Sequence, residues 1–310
     1  MHPKLVAVVG PTGTGKSDLA LALAEQLAAQ GQKAEIINAD SMQFYRGMDI
    51  GTAKLSLAER RGVPHHLLDI LDVTEESTAA AYQVQARELI EGLQQNGTVP
   101  ILVGGSMLYV AAALNTLEFS ARDPELRAEL EAELEELGTD HMFRKLQQLD
   151  ADTASRIDRF NPRRIVRALE VVSITGEPFA AALPEVTTSW QPVLEIGLNS
   201  AREHLVGRLA TRVEMMWQQG LVDEVAALAE TGLREGKTSR AAIGYSQALA
   251  QLDGELTQQQ AIDETIRLTQ RYARRQMSWF KRDERIQWLD YQDEAAPAKA
   301  KQLLEEWLSQ

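Results

Sequence analysis

"LVAVVGPTGTGKSDLALALAEQL", residues 5–27, decides the fold. "LVAVV" is an unbroken apolar run without alternation, the mark of a strand buried on both faces of a parallel sheet. It runs into Gly10-x-x-x-x-Gly15-Lys16-Ser17, the full pattern of a phosphate-binding loop. Leu19, Leu23 and Leu27 then recur at helical spacing, and Gly31 stops the helix. Strand, glycine-rich turn and helix are the setting in which that loop works. Its glycines let the amides of Gly10, Pro11, Thr12, Gly13, Thr14 and Gly15 wrap phosphate oxygens, with proline lending shape rather than a donor. The helix N-terminus adds partial positive charge. Lys16 neutralises the terminal phosphate, and the Ser17 hydroxyl can sit on Mg²⁺.

Further apolar runs extend the pattern. "AEIINAD" (34–40) and "VPILVGG" (99–105) read as strands, "VPHHLLDI" (63–70) holds a short one, and "VLEIGLN" (193–199) and "RIQWLD" (285–290) add two more. Helical stretches between them predict βαβ units wound into a doubly wound parallel α/β sheet. Between 118 and 192 the character changes. The chain turns acidic and helical to 137, with Asp123-Pro124 as a helix start, then arginine-rich to about 175, then loop-like over 176–192. The expected organisation is a P-loop core from 1–117 and 193–310 with a mostly helical insertion at 118–192. Ser200-x-x-Glu203 reads as a capping box opening a helix that Gly220 closes. Helix is expected over 221–280.

Composition narrows the chemistry. The chain has 310 residues, 44% hydrophobic and 25% charged, and no cysteine, which excludes disulfides, thiolate metal sites and a cysteine nucleophile. The apolar run near Met1 is too short for a secretory leader, and no stretch approaches the ~18 apolar residues of a membrane span. The expectation is a cytoplasmic monomer with no membrane partner. A net charge of −13 argues against a polyanionic partner, but local patches decide binding. "RIDRFNPRRIVR" (156–167) carries five arginines against one aspartate, and "RLTQRYARRQMSWFKRDER" (267–285) seven basic residues against two acidic.

The cradle reports phosphate, not nucleotide, and leaves three readings: an NTPase switch, a small-molecule kinase using ATP, or an enzyme whose diphosphate is a leaving group. No Asn-Lys-x-Asp guanine reader is present. Asp40 ends a strand beside the cradle and can accept a proton from an attacking group. Ser41, Gln43, Tyr45 and Gly47 follow, a loop suited to positioning a flat substrate.

"GPTGTGKSDLA", "NADSMQFYRGMDIGTAK", "PHHLLDI", "PILVGGSMLY", "DPELR", "NPRRIVRALEV", "IGYSQ" and "TQRYARRQMSWF" follow one another from about residue 5 to 290. In that order they resemble the bacterial tRNA dimethylallyltransferases (tRNA isopentenyltransferases). The resemblance implies transfer of a dimethylallyl group from dimethylallyl diphosphate to N6 of the adenosine 3′-adjacent to the anticodon. It implies Mg²⁺ at Ser17, Asp40 as base and Arg212 reaching the diphosphate from the side opposite the cradle, with Arg208 one turn earlier. It further implies tRNA contacts from Asp40, Ser41, Met42, Gln43, Ser106, Arg127, Arg163, Arg164, Arg167, Gly244, Tyr245 and Ser246, on an anticodon stem-loop held by the insertion. Ser106 stands where most relatives carry threonine, and both offer a hydroxyl. Nucleotide- and ATP-binding follow from the loop motif alone; the implied chemistry needs neither. His65 and His66 read as structural, and Trp279 and Trp288 as core.

Overall fold

The computed structural model describes residues 4–119, 122–179 and 188–310. The chain divides into two compact units, Met1–Leu114 with Ser189–Gln310, and Asn115–Thr188. The expected loop at 176–192 falls partly on 180–187, outside the described residues.

The first unit is built on six parallel strands: β1 (Leu5–Val9), β2 (Lys33–Asn38), β3 (His65–His66), β4 (Thr98–Gly104), β5 (Val193–Asn199) and β6 (Gln287–Asp290). Their order is β3-β2-β4-β1-β5-β6. All five pairings are parallel. The doubly wound α/β reading therefore holds. The apolar run of β1 is fully buried because its residues point alternately into two cores. Val6 and Val8 join Leu19, Leu23 and Leu27 of α1 (Lys16–Ala29). Leu5, Ala7 and Val9 join α2 (Ala79–Gln95) and α3 (Met107–Leu114) on the other face. Strand order reverses at β1 and β4, so the crevice beyond their carboxyl ends is where such a sheet takes its ligand.

The second unit contains α4 (Pro124–Leu137), α5 (Thr139–Leu149), α6 (Ala151–Arg156) and α7 (Pro162–Thr175). They close over Leu130, Met142, Leu146, Ile165 and Leu169. Two starts are written in the sequence. Asp123 accepts from the Glu125 and Leu126 amides, with Pro124 at the first helical position. Asn161 accepts from Arg164 N, with Pro162 in the same place.

The remaining helices return to the first unit: α8 (Arg202–Gln218), α9 (Leu221–Glu230), α10 (Tyr245–Leu252), α11 (Gln258–Phe280) and α12 (Ala296–Ser309). Tyr45, Met48, Val213, Leu221, Tyr245 and Ile262 form a third core among them. Two expectations fail here. The capping box at Ser200 does not form, because α8 is capped by Ala201 without a side-chain bond. Glu203 then stands at the second helical position, one short of the third that the box requires. Trp279 is 40% exposed rather than core. The buried stripe of α11 runs through Ala273, Gln276 and Phe280 and leaves Trp279 beside it. Trp288 does pack partly buried against the second core. Among the described residues no helix is long and apolar enough to cross a membrane.

Candidate active site

Three loops at the carboxyl ends of adjacent strands make the site: residues after β1, β2 and β4. The first is the phosphate cradle. Gly10 has φ +136, and a Cβ there would lie 2.4 Å from the Leu198 carbonyl oxygen, so only glycine lets β1 turn beside β5. Thr14 Oγ1 donates to Pro11 O at 2.9 Å, and Lys16 Nζ to the same oxygen at 2.7 Å, closing the loop on itself. Gly15 precedes α1 in a left-handed conformation with no side-chain cap, which leaves the first amides of α1 for an anion.

The second loop carries Asp40. Its carboxylate caps a short 3₁₀ turn, Ser41–Phe44, with Oδ1 accepting from Met42 N at 3.0 Å. Ser106, from the third loop, accepts from Ser41 N at 3.0 Å and lies 3.2 Å from the Ser41 hydroxyl. The Tyr272 hydroxyl reaches Ser106 and Gln276. Gln43 Nε2 donates to Thr52 O at 3.1 Å, tying this loop to the segment that follows it.

Asp40, Lys16 and Arg212 line one cavity of about 220 Å³ together with Thr12, Gly13, Gly15, Ser17 and Arg208. Of the expected diphosphate residues, Thr12, Gly13, Gly15, Lys16 and Ser17 line this cavity, with Arg212 of α8 facing them, while Gly10, Pro11 and Thr14 shape the loop behind it. A second chamber of about 350 Å³ shares Thr12, Asp40, Thr52 and Arg212 with the first. Its wall is more apolar, with Met42, Val213, Met216 and Ile243. Asp40 and Arg212 therefore stand where a polar pocket passes into a greasy one.

Electrostatics follow from this crowding. Burial pushes the Asp40 carboxyl above the ordinary range, opposed by the Met42 amide, Lys16 and Arg212. Burial lowers the Lys16 ammonium to about 8, with Asp40 opposing and Arg212 adding to the fall. Tyr272 is pushed up to about 12 by burial and then by the nearby Asp40 charge. A carboxylate drawn toward neutrality beside a cationic cradle can take a proton while an anion departs next to it.

Ser17 fits a metal only in company. Its hydroxyl carries no hydrogen bond among the described residues, and no group of three or more His, Asp or Glu side chains there could hold an ion alone. A Mg²⁺ ion would rest on Ser17 and on the oxygens of a bound diphosphate.

The remaining expected residues divide. In the second unit Arg163 and Arg164 are exposed in the first turn of α7. Arg127 and Arg167 are committed to a fully buried Glu170, at 3.1 and 2.8 Å, and Arg127 also to Glu131 at 2.9 Å. Gly244 and Tyr245 are buried, and the Tyr245 hydroxyl donates to Glu224 at 2.6 Å. Tyr245 also lines the second chamber, and Ser246 is half-buried beside it. His65 bonds the Val63 carbonyl and lines the cavity, and His66 meets Glu35.

Sequence reading missed Gln276. This buried side chain accepts from Thr12 N at 2.9 Å and donates to Gly105 O at 2.8 Å, joining the cradle to the β4 loop. Nothing in "ARRQMSWF" marks it, since its partners lie 264 and 171 residues away.

Fold and site together define a P-loop α/β enzyme whose cradle faces a carboxylate rather than a nucleotide-base reader. More particularly, the chain belongs to the IPP transferase family, whose model matches residues 43–283. It is 55% identical to a tRNA dimethylallyltransferase of Thermobifida fusca, over 93% of this chain and 90% of that one. It is 56% identical to one from Clavibacter sepedonicus, over 90% of each. Its fold matches the crystal structure of the tRNA isopentenylpyrophosphate transferase of Bacillus halodurans with a TM-score of 0.71, at 38% identity, over 99% of this chain and 97% of that one. It also matches a eukaryotic dimethylallyltransferase captured acting on tRNA, with a TM-score of 0.75, at 28% identity, over 94% of this chain and 74% of that one. These relatives favour the transferase reading over a kinase.

Proposed function

We propose that this chain transfers the dimethylallyl group of dimethylallyl diphosphate to N6 of the adenosine 3′-adjacent to the anticodon of tRNA. N6 attacks the first allylic carbon, and the bond from that carbon to oxygen breaks with its electron pair passing to diphosphate. The N6 proton passes to Asp40. Oδ1 already accepts from Met42 N, so Oδ2 is the oxygen with capacity to take it. Lys16, the amides at the start of α1 and Arg212 hold the charge that develops on the leaving group, where such stabilisation counts most. A magnesium ion held by Ser17 would supply further neutralisation of that diphosphate. The purine leaves the stacked loop to reach Asp40, a cost of a few kcal/mol offset by contacts in the pocket. Ser41, Met42, Gln43 and Ser106 border its path, with the Ser106 hydroxyl able to bond the base. Arg163 and Arg164, with Arg127 and Arg167 behind them, would meet phosphates or stack on loop bases, which reconciles an acidic protein with an RNA substrate. A monomer working in the cytoplasm suits this role.

The observation that carries the reading is the junction at Asp40, where a diphosphate pocket opens into an apolar chamber. Anticodon stem-loop RNA and Mg²⁺ are incubated with labelled dimethylallyl diphosphate in one arm and γ-labelled ATP in the other. Label should enter RNA from the allylic donor alone; transfer from ATP would establish a kinase instead.

A further inference from the structure

Asp40 does not place itself. It stands two residues past β2, on backbone that makes no ladder bond of its own. Asn38, the last residue of β2, is 5% exposed and spends two of its three amide bonds on holding that backbone. Its Oδ1 accepts from Asp40 N at 2.9 Å. Its Nδ2 donates to Asp40 O at 3.0 Å and to Leu67 O at 2.9 Å. One acceptor and two donors meet one donor and two acceptors, so only one orientation of the amide satisfies all three. Asn38 is itself fixed. It pairs with Val103 in the β2–β4 ladder, and its carbonyl accepts from the Tyr82 hydroxyl at 2.8 Å.

The third bond reaches an unusual partner. Leu67 has φ +57 and Asp69 φ +55, left-handed conformations that cost a non-glycine residue free energy. Leu68 between them lines the cavity that holds Lys16 and Asp40. The Asn38 amide therefore ties the Asp40 peptide to a strained turn in the wall of the same pocket.

We propose that Asn38 is a positioning residue, whose amide fixes the Asp40 carboxylate in register with the reacting amine. This rests on the reading of Asp40 as base. The groups that face Asp40 are Lys16 of α1, Arg212 of α8 and Tyr272 of α11. None of them bonds its backbone; Gln43 N donates to Asp40 O at 3.1 Å within the 3₁₀ turn, which leaves Asn38 as the partner of Asp40 N and its tie to β2.

The test compares Asn38→Ala, Asn38→Ser and Asn38→Asp with the native enzyme, using dimethylallyl diphosphate and an anticodon stem-loop RNA. Asn38→Ala should lower kcat by about 10- to 100-fold, as misplacement of a reacting group does. KM for the diphosphate should stay within about threefold, because the cradle is intact. Asn38→Ser keeps an acceptor for Asp40 N and should recover part of the loss. Asn38→Asp cannot donate to either carbonyl and sets an anion beside Asp40. It should move the acidic limb of the pH profile upward, since a like charge disfavours ionisation. Should Asn38→Ala fail to fold, the serine and aspartate variants carry the same comparison. Native kcat with an unmoved acidic limb, or a loss confined to KM, would overturn the proposal. If native enzyme transfers no allyl group, the functional reading is at fault. If native enzyme is active and Asp40→Asn is not, while the Asn38 variants match native, the positioning role alone fails.

Discussion

Gln276 takes the backbone N–H of Thr12 at 2.9 Å, so a helix 264 residues downstream holds the entrance of the phosphate cradle. The other end of the same amide donates to Gly105 O. Truncation leaves both backbone groups unpaired, at about 1–3 kcal/mol each. Gln276→Ala should therefore weaken diphosphate affinity about tenfold or more by calorimetry and lower the melting temperature. Gln276→Glu, which keeps the acceptor but brings an anion against the cradle, should bind still more weakly. Equal affinity in all three proteins would refute the clamp.

The pH dependence of kcat/KM should be bell-shaped, reporting the free enzyme. Asp40 must be ionised to act as base, and its carboxyl is raised by burial, so activity should fall away on the acidic side above the ordinary carboxylate range. Lys16 must be protonated to hold the diphosphate, and its ammonium sits at about 8, so activity should also fall as pH rises through that value. Bound diphosphate favours the charged ammonium, which moves the alkaline limb of kcat to higher pH than that of kcat/KM. A profile flat from acid to alkali would contradict both assignments.

Glu170 has no exposed surface and lies between Arg127 and Arg167. Removing the carboxylate takes the acceptor from Asp123 N and the shared partner from two arginines, of which Arg127 keeps Glu131, at a cost of about 1–3 kcal/mol. Glu170→Ala should lower the urea midpoint of the Asn115–Thr188 unit accordingly and weaken stem-loop binding, because both arginines lose their anchor. A midpoint equal to native would show that Glu170 adds nothing.

Glu195 offers a separate check on stability. It is 3% exposed on β5, and burial raises its carboxyl from 4.5 to about 7 despite Arg285 at 3.5 Å. A raised acid binds its proton more tightly when folded. Stability should therefore fall as pH rises from 4.5 through about 7, by roughly 3 kcal/mol in all. Glu195→Gln should raise the melting temperature above pH 7 and leave it nearly unchanged below pH 4.5. A gain of equal size at both ends would contradict the ionisation account.

What could be read beforehand was local. The apolar run at 5–9 and the glycines after it announced strand, cradle and helix, because burial on both faces and phosphate geometry leave direct marks on neighbouring residues. Asp123-Pro124 marked a helix start for the same reason. Asp40 was legible through its place at a strand end. Gln276 and the bond from Asn38 to Leu67 were not, since each depends on a partner far along the chain. Trp279 was misjudged because only the angular position of the buried stripe, not its composition, puts that ring outside. At Ser200 a one-residue shift of the helix start undid a correct-looking motif.

The most direct measurement is single-turnover transfer by Asp40→Asn with dimethylallyl diphosphate and anticodon stem-loop RNA, alongside calorimetric affinity for the diphosphate. Asparagine keeps the acceptor for Met42 N, so the 3₁₀ turn and the cradle should persist. Affinity should stay near native while the transfer rate drops by about 10²- to 10⁴-fold, the loss of a general base. Transfer at the native rate would contradict the assignment of Asp40 and, with it, the account of the site.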